Sequence, residues 1–154
     1  MEEIKLKRDL VLYVVYKALK DFNYPKIDRL QVVKLLYLID DLFNKQNQKK
    51  LSEYHYILER LGPYAPEIIA DLTELVRLGK LMNTDTYYEY TLSEITKEDL
   101  EKIKKIEQII KKRGEEIIKK IVVFFEMGRD LDMLLDYVHS KEEVKSKKLR
   151  EFVL

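Results

Sequence analysis

The sequence predicts a mainly α fold with a small antiparallel β ribbon. A winged-helix-like core spans residues 1–95, and additional C-terminal helices span 96–154, all in one domain. Three observations predict it. Apolar residues recur at three- and four-residue spacing along most of the chain. The period shortens to two only in short tyrosine-rich stretches between Leu51 and Leu92. The 4 Gly and 3 Pro stand mostly where a periodic stretch stops or bends.

The first helix covers about residues 3–22, with Leu6, Leu10, Val14 or Val15, Ala18 and Phe22 on one face, and Asn23, Tyr24 and Pro25 stop it. The second begins at a full start signal: Asp28 as N-cap, Gln31 at the third helical position, and Ile27 placed to staple onto Val32. Its inward face reads Val32, Leu35 or Leu36, Ile39, Leu42 and Phe43, and Asn44 to Lys50 is a polar exit. Tyr54, Tyr56 and Leu58 then alternate with His55, Ile57 and Glu59, as in a short strand. The stretch "RLGPYAP", Arg60 to Pro66, follows as a rigid corner. Gly62 gives backbone freedom there, the prolines remove it, and Pro66 opens a helix without losing a hydrogen bond. That helix carries Ile68 or Ile69, Leu72, Leu75 and Leu78 inward, and Gly79 ends it as a left-handed cap. Lys80–Asn83 and Tyr87–Leu92 form a hairpin around Thr84–Thr86. Helix, helix, short strand, helix and ribbon is the order of a winged-helix unit.

Thr96 and Asp99 open a further helix that runs to about 127, bent or interrupted near Gly114. Ile103, Ile110, Ile117 and Phe124 recur in it at sevens, and acid–base pairs four apart, such as Glu98–Lys102 and Glu107–Lys111, lace its outer face. Gly128 ends it. Asp130–Val138 and Lys141 to about Arg150 read as two short helices, the second capped by Ser140 with Glu143.

Composition excludes several function classes. Hydrophobic residues make up 46%, enough for a real core in 154 residues. With no Cys there is no disulfide frame, thiolate metal site or Cys nucleophile. Met1 is followed by Glu2, Glu3 and Lys5, so no secretory signal is expected, and runs such as Leu10–Val15 are too short to span a bilayer. The expectation is a soluble cytoplasmic protein without cofactor or metal. Abundant Lys, Glu and Ile, with scarce Asn, Gln and Ser, suit a heat-adapted source.

The segments "LQVVKLLYLIDDLF", "YHYILERLGPYAPEIIADLTELVRLGKLM" and "YEYTLS" resemble the Panacea domain, the antitoxin domain of SocA and GepA-like proteins, over about residues 30–92. The most specific part is the Gly-Pro corner with an aromatic residue and a Pro just after it. The resemblance implies a non-enzymatic, mostly helical module that neutralises toxin proteins, one relative acting as a protease adaptor. It carries over only Gly62, Pro63, Tyr64 and Pro66, with no catalytic residue.

The residues themselves must choose between protein and nucleic acid. In a helix-turn-helix reading the 66–79 helix would enter the major groove, yet it carries Glu67, Asp71 and Glu74 against Arg77 alone. The stretch 97–120 does better, with nine bases against six acids, so Lys102, Lys104, Lys105, Lys111, Lys112 and Arg113 are the nucleic-acid candidates of the alternative reading, a winged-helix DNA-binding regulator. Interleaved acids favour a solvated helix there. Tyrosine unites contact area with a polar handle, so Tyr54, Tyr56 and Tyr64, with the Gly62, Pro63 and Pro66 corner, are the candidate protein-binding residues. Ala65 gives the helix at Pro66 no side-chain cap, so its free N–H groups could take a partner's carboxylate, though water or a local side chain is the plainer partner. The run Ile121–Phe125 is either core covered on two sides or a homodimer or partner surface. His55 and His139 show no metal or triad spacing, and adjacent Asp40 and Asp41 point apart on a helix, so catalysis is not expected.

Overall fold

The computed structural model describes residues 2–47 and 49–154, with side chains described for 8–46, 49–141 and 144–154. The side chains of Leu6, in the first helical face, and of Glu143, in the cap at Ser140, lie outside the described residues. The elements follow in order as α1 (Glu2–Lys20), β1 (Ile27–Asp28), α2 (Arg29–Asn47), β2 (Ile57–Glu59), β3 (Gly62–Tyr64), α3 (Pro66–Arg77), β4 (Leu81–Asn83), β5 (Glu89–Leu92), α4 (Lys97–Lys111), α5 (Glu115–Met127), α6 (Leu131–His139) and α7 (Glu142–Lys145). The chain is mainly helical with small antiparallel sheets, as its periodicity predicts.

Helix α2 is the axis of the molecule. Its start signal forms as expected: the Asp28 carboxylate accepts from Leu30 N at 2.7 Å, and the Gln31 side chain accepts from Asp28 N at 2.7 Å. The polar exit was expected from Asn44, but the helix continues to Asn47. One buried face was also expected, yet every residue from 31 to 43 is buried. The cause is tertiary: α1, α3, β3, α5 and α6 all pack against α2. A helix enclosed this way tolerates apolar residues all round, and its polar ones must find partners inside.

One sheet has strand order β1–β5–β4. The two-residue strand β1 has no periodicity of its own; Ile27 and Asp28 pair with Tyr90 and Glu89. The other sheet departs from the sequence reading. The expected strand shrinks to Ile57–Glu59, and the "corner" folds back beside it as β3, with Ile57 opposite Tyr64 and Glu59 opposite Gly62. Gly62 makes this return at φ +96°, a conformation that side chains with a Cβ avoid. Pro63 is tolerated in β3 because its partner position, Leu58, turns its own N–H and C=O the other way, to Glu151 O and Arg150 N.

The anticipated long C-terminal helix breaks at Gly114 (φ +103°) into α4 and α5. The last predicted helix survives only as α7, and after a turn at 149–150 the last residues run along β2. The apolar run in α5 is mostly core: Ile121, Phe124 and Phe125 are buried, whereas Val122 and Val123 are exposed. Phe125 stacks on Phe22 with centroids 5.0 Å apart, and its carbonyl accepts from Tyr24 Oη at 2.5 Å. Gly128 sits so close behind that a Cβ there would stand 2.8 Å from Tyr24 Oη. Gln31 then donates to Gly128 O at 2.8 Å, joining the start of α2 to the end of α5.

Candidate partner-binding face

Three polar ties fix the β2–β3 hairpin and the loop before it onto the helices. Lys34 of α2 is fully buried, and its Nζ donates to Pro63 O at 2.5 Å. Burial lowers the pKa of this amine to about 7, because a desolvated ammonium is costly. One turn and a half further along, buried Asp40 accepts three hydrogen bonds, from Ser52 N at 2.8 Å, Ser52 Oγ at 2.5 Å and Tyr56 Oη at 2.8 Å. Burial nonetheless holds the Asp40 carboxyl above its usual range, the three donors opposing it. Tyr54 Oη donates to Asp71 of α3, which answers where one acid of that helix points. Burial first, and the Asp71 carboxylate second, keep the Tyr54 phenol protonated far above its ordinary range. Asp41, next on α2, pairs with Lys45 at 3.2 Å and with Lys141 at 3.1 Å, so the segment after α6 is tied to the same helix.

These contacts sort the residues singled out in the sequence. Tyr54, Tyr56, Gly62 and Pro63 are buried, while Tyr64 is half-buried and Pro66 exposed. The alternation on β2 puts Tyr56 and Leu58 inward and His55 and Ile57 outward. Ile57 stands in register with Tyr64 on one side and bridges Phe152 on the other. Directly opposed residues share a face, so Tyr64, Ile57 and Phe152 form a row across the outside of the hairpin. His55 meets Phe152 edge-on at 6.2 Å, and Phe152 is 67% exposed. Leu61 at the hairpin turn is also exposed. The row depends on Phe152, which nothing in the sequence joins to the hairpin; the only signal was an apolar Phe-Val-Leu stretch after a lysine-rich one.

The other candidates lie elsewhere. His139 is half-buried behind the hairpin, its Nε2 without a hydrogen-bond partner among the described residues and 3.1 Å from where a Gly62 Cβ would stand. Lys104, Lys105, Lys111, Lys112 and Arg113 are exposed on and after α4, and Lys102 is half-buried. Arg113 also lies over the Phe43 ring at 5.8 Å. Of the predicted ion pairs, Glu98–Lys102 forms at 3.9 Å, while Glu107 turns instead to Lys17 of α1 at 3.3 Å. Ala65 gives α3 no side-chain cap. Among the described residues no group of His, Asp or Glu is arranged to hold a metal ion, and no helix is long and apolar enough to cross a membrane.

The family model of the antitoxin SocA-like Panacea domain matches residues 32–143, well over half of the chain. The chain belongs to this family. The match begins inside α2, takes in the whole hairpin and α3, and continues past Leu92 through α6. The Panacea domain of this chain therefore includes helices that carry no motif recognised from the sequence. No curated protein and no solved structure matches the chain.

Proposed function

We propose that this chain is a non-enzymatic regulatory binding module that recognises a protein partner, of the kind a toxin presents, through the outer face of the β2–β3 hairpin. The row of Tyr64, Ile57 and Phe152 carries the reading: an apolar, aromatic strip set on a hairpin that Lys34, Asp40 and Tyr56 hold in place. Pro66 and Leu61 extend the strip, and Tyr54 and Tyr56 serve it from beneath. Membership of an antitoxin-like family supports a protein as the partner. The test is co-expression with a growth inhibitor encoded in a neighbouring reading frame. The native chain should restore growth, and Ile57→Asp should not, at unchanged helical content. Capture of nucleic acid alone by the native chain would overturn the reading.

A second reading rests on topology. The strand order β1–β5–β4, with α1 before β1 and with α2 and α3 between β1 and β4, is winged-helix-like and supports a DNA-binding regulator. Such a protein would have to use the bases of α4, because α3 exposes Glu67 and spends Arg77 on Glu74.

A further inference from the structure

We propose that residues 150–154 are a displaceable strand, and that their seat on β2 is where an extended segment of the partner adds by backbone pairing. This deepens the partner-binding reading and rests on it. Four main-chain hydrogen bonds hold the segment: Arg150 N to Leu58 O at 2.6 Å, Leu58 N to Glu151 O at 2.9 Å, Val153 N to Tyr56 O at 2.9 Å and Tyr56 N to Leu154 O at 3.0 Å. The backbone groups of Tyr56 and Leu58 used here face away from β3, so this is the outer edge of the hairpin. The side chains add two apolar contacts with the core, Val153 buried and Leu154 half-buried, and one ring contact, Phe152 with His55. Arg150, Glu151 and Phe152 are exposed, and Val153 alone is buried. Arg150 enters the strand at φ +69°, a strained conformation for a residue other than Gly.

A seat held by four backbone bonds, with Val153 buried and Leu154 half-buried as its apolar anchors, leaves most of the sequence it receives unspecified. Any extended polypeptide with a β-branched or similar apolar residue at the Val153 position, preceded by an aromatic one, satisfies the same four groups. The occupant is thus a strand of a protein, and the chain's own segment keeps the edge covered until that strand arrives. The incoming aromatic residue takes over the place of Phe152 beside Ile57 and His55, which makes seat and outer face one continuous surface.

The experiment uses the full chain with Val153→Pro, which removes both the buried anchor and the N–H given to Tyr56 O. The probe is a fluorescent synthetic peptide of residues Lys148–Leu154. It should bind the variant roughly tenfold or more tightly than the native chain, whose seat is occupied. It should also restore hydrogen-exchange protection at the Tyr56 and Leu58 amides. Equal binding to both chains, or no restored protection, overturns the proposal. Protection of the Leu35 and Leu36 amides reports that α2 is intact; should Val153→Pro lose it, Val153→Asp replaces it in the same two measurements. Growth rescue by the native chain without peptide capture would keep the partner reading and end this one. Peptide capture without rescue would support the displaceable strand and count against the toxin as occupant.

Discussion

Lys34 shows how one buried group sets a pH dependence. Its folded pKa of about 7 lies below the ordinary 10.5, so between those values the unfolded chain holds a proton that the folded chain has released. Stability contributed by this residue therefore rises as pH goes from 7 towards 10, and below pH 7 the cost of a buried cation is present in full. Lys34→Met removes that dependence. The stability difference between native and variant should change by about 3 kcal/mol between pH 6 and pH 9.5, read from urea melts. A constant difference would show that the amine is not desolvated. Gly62 is the second decisive residue. Its φ of +96° and the His139 ring 3.1 Å from a would-be Cβ make Gly62→Val unfavourable twice over. We expect a loss of roughly 2–4 kcal/mol, and a melt with no change would refute the geometry.

Elements differ in how much local signal they carry. The start of α2 was legible because the capping bonds of Asp28 and Gln31 run to near neighbours and to each other, even though Gln31 also reaches Gly128 far along the chain. Asp28→Ala should cost about 1 kcal/mol in a thermal melt, whereas Lys104→Ala on the exposed side of α4 should stay within about 0.5 kcal/mol. Strands β1 and β3 were not legible. Ile27–Asp28 becomes a strand only because Tyr90 and Glu89 lie beside it, more than 60 residues away. Gly62–Tyr64 carries two residues that usually break strands, and it pairs because Leu58 directs its bonds to 150 and 151 instead. Periodicity sees neighbours along the chain; both cases are decided by partners that the fold supplies.

For the molecule as a whole, charge and enclosure point the same way. The net charge is +1, and the helix that a winged-helix reader would place in a groove presents Glu67 and ties up Asp71 internally. A generic duplex at physiological salt should show no retarded band with micromolar protein; a shift that weakens steeply with added salt would restore the DNA reading. The helix class, most core residues and the position of the Gly-Pro segment were readable from the sequence, but its path as a strand was not. The binding row was not, because Phe152 reaches Ile57 across about 95 positions through a single bridge.

Seating a proline carbonyl on a buried lysine amine whose pKa is lowered to about 7 hides a nucleophile under a latch. Acylating reagents consume exposed lysines at once, but Lys34 is fully buried and meets them only when the packing around its bond to Pro63 O opens. Slow mass-tagging at that one amine would time the latch, and a bound partner that clamps the hairpin would lengthen the interval.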